Sequence, residues 1–147
     1  MKDEIKITPE ELEKLNEDNL IAITYPGRMG DVDGLSFAIN DNNKLTIYRI
    51  DDLVRFKGNV FKQFPKWNEA LKNYSEHKPS DKYEVIYMGM GNILAVDKSI
   101  YNELKTIIEK KAQKEESTLS PELHLGSVYF NSWRSTLKEM FNKKDTM

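Results

Sequence analysis

The chain has 147 residues, 39% of them apolar and 31% charged, with no cysteine. That length suits one domain with its own core. The missing thiols exclude disulfides and thiolate metal sites, and a net charge of −2 argues against a general nucleic-acid binder, which carries a basic excess. No apolar stretch follows residues 1–6 and no run of about 18 apolar residues occurs, so neither a secretory signal nor a membrane span is expected, and a cytoplasmic location is.

Thr8-Pro9-Glu10-Glu11 reads as a helix start. Thr can cap the free amides, Pro is preset for the first helical position, and the two Glu suit the positive end of the helix dipole. This helix is expected to stop near Asn16, and Leu20 to Tyr25 to form a strand closed by Pro26 and Gly27. A glycine-punctuated loop then runs to Gly34. Leu35 to Ile39 and Leu45 to Ile50 make a hairpin around Asn40-Asp41-Asn42-Asn43. Asp51-Asp52 is read as the cap of a short helix through Phe56, broken at Gly58-Asn59.

Pro65 opens a helix with Trp67, Ala70, Leu71 and Tyr74 on one side. Tyr83 to Met88 and Ile93 to Val96 form a second hairpin around Gly89-Met90-Gly91. Asp97 caps a longer helix whose Ile100, Leu104, Ile107 and Ile108 share one face. Residues 118–127 read as a loop, and the last helix carries Phe130, Trp133, Leu137, Met140 and Phe141 on a stripe. The expected fold is α+β: one antiparallel sheet of about four to five strands, built from two hairpins, with amphipathic helices on one face and the other face open to a partner.

Catalytic and metal signatures fail one by one. His77 and His124 are isolated, and Ser120 and Glu122 beside His124 are loop neighbours, not a triad. Asp31-Val32-Asp33-Gly34 opens like a calcium loop but continues with Leu35 and Ser36 where an oxygen ligand and a glycine are required. Gly89-Met90-Gly91 lacks the third glycine and the helix of a dinucleotide fingerprint. No cofactor or metal is expected. Trp67 and Trp133 lie on apolar helix faces and read as core. Paired carboxylates assembled in space are invisible to sequence.

The stretch 87–101, reading Tyr-Met-Gly-Met-Gly-Asn-Ile-Leu-Ala-Val-Asp-Lys-Ser-Ile-Tyr and followed by the amphipathic helix, is similar to the small immunity proteins of bacterial contact-dependent inhibition and polymorphic toxin systems; so is 131–137, Asn-Ser-Trp-Arg-Ser-Thr-Leu. The resemblance implies a protein that neutralises a cognate protein toxin by tight, one-to-one binding, without a cofactor. Many such toxins are basic nucleases. Residues 1–60 hold 8 basic and 12 acidic side chains, against 14 and 12 in residues 61–147. An acidic front half would steer a basic partner, and on this reading Asp31, Asp33, Asp51 and Asp52 are the expected partner-binding residues. Two other readings stay open: a small enzyme or ligand-binding domain with a site assembled from scattered residues, and a phage or plasmid accessory protein that blocks a host factor. The sequence leaves the oligomeric state open.

Overall fold

The structure is a computed structural model describing residues 4–27, 35–51 and 53–145. Among them are six strands: β1 (Glu4–Lys6), β2 (Leu20–Tyr25), β3 (Leu35–Asp41), β4 (Lys44–Ile50), β5 (Tyr83–Gly89) and β6 (Asn92–Asp97). Five α-helices accompany them: α1 (Pro9–Glu13), α2 (Leu53–Gln63), α3 (Pro65–Ser75), α4 (Lys98–Lys114) and α5 (Pro121–Asp145). The strands form one open sheet in the order β1-β4-β3-β2-β6-β5. The fold is α+β, as expected, but the sheet has six strands and is mixed. β1 pairs in parallel with β4, with Glu4 opposite Ile47, and every other pair is antiparallel. Three residues with one apolar side chain give no period-2 signal, so β1 is set by its partner strand and not by its own pattern.

Several helix signals work as written. Thr8 Oγ1 accepts the amide of Glu11 while Glu11 Oε1 accepts the amide of Thr8, a complete capping box for α1. Asp97 accepts the amide of Ser99 and starts α4. Two readings are corrected. Gly58-Asn59 does not break α2, which continues to Gln63: Gly58 faces open space, and burying Val60 with the adjoining Phe64 outweighs the propensity loss of about 1 kcal/mol. Residues 121–127 are not loop but the first two turns of α5. Pro121 sits at the first helical position, where its missing amide hydrogen is not needed, and the His124 amide already donates to the Ser120 carbonyl.

The sheet is also covered on both faces rather than one. Ala22, Ala38, Ile47, Met88, Leu94 and Val96 pack with Leu104 and Ile108 of α4 and with Trp133, Leu137 and Phe141 of α5. Leu20, Ile23, Phe37, Ile50, Tyr83 and Ala95 pack on the opposite side with Leu12, Val60, Phe64, Trp67 and Ala70. The sequence already carries the cause. β2 and β3 are nearly continuous apolar runs, the pattern of strands buried on both sides, not of a half-solvated sheet. A register shift between Leu20 and Ala22 sends Ile21 and Ala22 to one core and Leu20 and Ile23 to the other. Trp67 and Trp133 are both core, each 1% exposed.

Candidate functional site

Asp51 is the one expected contact residue within the described part of the chain; Asp31, Asp33 and Asp52 lie outside it. Asp51 follows β4 and is exposed. Its carboxylate accepts from Arg49 Nε at 2.5 Å and pairs with Lys6 Nζ at 3.0 Å. The Arg49 hydrogen bond, followed by that of Lys6, holds its carboxyl below the usual carboxylate range. Asp51 thus closes the outer end of a charged network instead of projecting alone.

That network runs inward between the sheet and α5. Glu4 on β1 accepts from Ser36 Oγ on β3 and from Arg134 Nε on α5, the latter at 3.2 Å. Arg134 Nη2 donates to Ser36 Oγ at 3.0 Å, and its guanidinium lies 4.7 Å from the Trp133 ring centre. Arg49 Nη1 stands 3.8 Å from Glu4, within ion-pair reach but beyond a hydrogen bond. The Ser36 amide donates to Thr24 Oγ1, which donates in turn to the Ser36 carbonyl. Ser36 is fully buried. Its hydroxyl therefore meets no solvent-borne substrate, and the Ser–Glu contact joins β1 to the sheet rather than arming a nucleophile. Beside the two guanidiniums opens a recess of about 150 Å³, walled by Pro26, Met88, Phe130 and Trp133.

A second feature lies at the far edge of the sheet. The Lys98 amide donates to the Lys82 carbonyl, and Tyr83 stands opposite Asp97. Alternation along an antiparallel ladder then turns the backbone of Glu84 and Ile86 toward β6, and that of Tyr83, Val85 and Tyr87 outward. Gly126 of α5 covers one end of this edge: a Cβ there would stand 3.2 Å from the Tyr87 carbonyl oxygen. The outward amide and carbonyl of half-buried Val85 have no backbone partner among the described residues, whereas Tyr83, 1% exposed, is closed off from solvent. Large apolar side chains flank this edge, with Tyr87 49% and Met90 63% exposed. Leu123, one turn before Gly126 on α5, is also exposed.

The histidines take structural places. His77 is exposed beyond the end of α3, with left-handed backbone at φ 59°. His124 Nε2 lies 2.8 Å from the Ala112 carbonyl oxygen; a carbonyl only accepts, so this nitrogen carries the proton and ties α5 to the end of α4. Gly89-Met90-Gly91 is a hairpin turn with φ of 99°, 57° and 80°, as its composition implies. Among the described residues no three His, Cys, Asp or Glu side chains gather to hold a metal ion, and no helix is long and apolar enough to cross a membrane. Neither Arg49 nor Arg134 was expected at a site. Their convergence on Glu4 depends on the β1–β4 pairing, which leaves no trace in local sequence.

Comparison with protein-family models, with curated proteins and with solved structures finds no match for this chain.

Proposed function

We propose that this chain is a binding protein of the immunity or inhibitor type, neutralising a cognate protein toxin by occluding its active site in a one-to-one complex. The observation that supports this most is the outer edge of β5, where the outward backbone groups of half-buried Val85 lie beside exposed Tyr87 and Met90. An extended segment of a partner adds to such an edge as a further strand: main-chain hydrogen bonds supply affinity and the flanking side chains supply selectivity. Tyr and Met are enriched in protein interfaces. Asp51 serves a basic partner only by exchanging its pairs with Arg49 and Lys6, so on this reading it tunes the approach of the partner more than it anchors it.

The test is co-expression with the product of an adjacent toxin-like reading frame. A stable one-to-one complex, and rescue of cells from that toxin by this chain, are the expected results. A toxin that neither binds the purified protein nor is restrained by it contradicts the proposal.

A further inference from the structure

We infer that the recess between Arg49 and Arg134 is a binding site for a carboxylate carried on a short apolar stem. This stands apart from strand addition at β5, since it rests on different residues. Both guanidiniums are held in place before any ligand arrives. Arg134 is fixed by Glu4, Ser36 and the Trp133 ring; Arg49 is fixed by Asp51 and Glu4. Each keeps donors in hand: Arg134 Nη1 and both Nη atoms of Arg49 make no hydrogen bond to the described residues. Glu4 lines the recess and answers one of its two positive charges, while Asp51 is shared between Arg49 and Lys6; three positive groups against two negative leave an incoming anion a net charge of about +1.

Size and lining narrow the ligand. About 150 Å³ is room for about five waters at ~30 Å³ each. That falls below the ~300 Å³ at which sites for drug-sized molecules begin, so a whole nucleotide or oligosaccharide does not fit inside it. The uncharged polar lining groups Thr24 and Asn92 already serve the backbone, Thr24 at Ser36 and Asn92 at Gly27 and Gly89, and the Glu4 carboxylate is held by Ser36 and Arg134. The apolar walls suit a short carbon stem and poorly replace the hydration of a phosphate. Planar guanidiniums match a carboxylate by paired, charge-assisted hydrogen bonds. Such a group reaches the recess either as a small free acid or as an acidic side chain offered by a partner protein.

The experiment follows the arginine Nε–H and indole N–H resonances of the full-length ¹⁵N-labelled protein. It is titrated with propionate, with N-acetyl-glutamate N-methylamide and with neutral propionamide. The carboxylates are expected to give saturable shifts at Arg49 and Arg134 in the millimolar range, with propionamide about tenfold weaker or more. Tighter binding of propionate identifies a free acid as the natural ligand; tighter binding of the blocked glutamate identifies a protein side chain. Arg49→Gln and Arg134→Gln should each reduce the affinity about tenfold. Because Arg134→Gln also strips Glu4 and Ser36 of a partner, Arg49→Gln carries the test if the former unfolds. Equal responses to propionate and propionamide, shifts that survive Arg49→Gln, or no saturable shift would overturn the inference.

Discussion

At the scale of single residues, two residues with no obvious role in the sequence hold distant segments together. Glu17 is 9% exposed, yet its carboxylate is fully engaged. It accepts the amides of Lys66 and Trp67 at 3.0 and 2.8 Å, at the start of α3, and the Tyr83 hydroxyl at 2.9 Å. α3 has no side-chain cap of its own from Phe64, so Glu17 supplies one from a remote segment. Burial, then the nearby Glu17 charge, pushes the Tyr83 phenol well above its ordinary range and keeps its proton on the shared hydrogen bond. Glu17→Ala is expected to lower stability by about 3 kcal/mol, read by urea unfolding, because two helix amides and a phenol lose their acceptor. Gly27 is the second such residue. A Cβ there would overlap the backbone of Met90 and Gly91, and its amide donates to Asn92 Oδ1 at 2.8 Å. Gly27→Ala should push the β5–β6 turn away from the end of β2 and destabilise the protein by about 2 kcal/mol or more, measured as a fall in unfolding midpoint. Nothing local in the sequence marks either contact. Glu17 reads as one acid among many, and Gly27 as a strand terminator.

At the scale of elements, local chemistry was legible wherever a cap, a turn or a periodic run decides the outcome. The capping box of α1, the bounds of β2 and the Asp97 start of α4 all follow from residues within one turn. Asp97 does more than cap: burial pushes its carboxyl up, but the Lys82 ammonium at 2.7 Å and the Ser99 amide outweigh this and leave it below the ordinary value. A carboxyl depressed in the folded state contributes stability that is present above its unfolded pKa of about 3.9 and is lost as pH falls through its folded value. Asp97→Asn should therefore cost about 1–2 kcal/mol at pH 7. The gap to the parent protein should close in strong acid, as thermal unfolding at the two pH values would show. The misjudged elements are those set by distant partners. β1 exists through β4, and α2 passes Gly58 because Val60 and Phe64 are needed in the core.

At the scale of the whole molecule, helices on both faces of the sheet leave its edges and turns as the places where backbone can meet another chain. The open face expected from the sequence is occupied by α1, α2 and α3, while the exposed Tyr87 and Met90 survive at the β5 end. The two proposed recognition features, an edge strand and a two-arginine recess, are both products of strand order, which no single segment encodes. Strand addition at β5 is tested most directly by Val85→Pro. The Val85 amide points away from β6, so proline there removes no ladder hydrogen bond but blocks an added strand. Isothermal titration of the cognate partner should show at least about a hundredfold loss of affinity, or ~2.7 kcal/mol, with the unfolding midpoint within a few degrees of the parent. Undiminished affinity in a folded Val85→Pro protein would contradict the account.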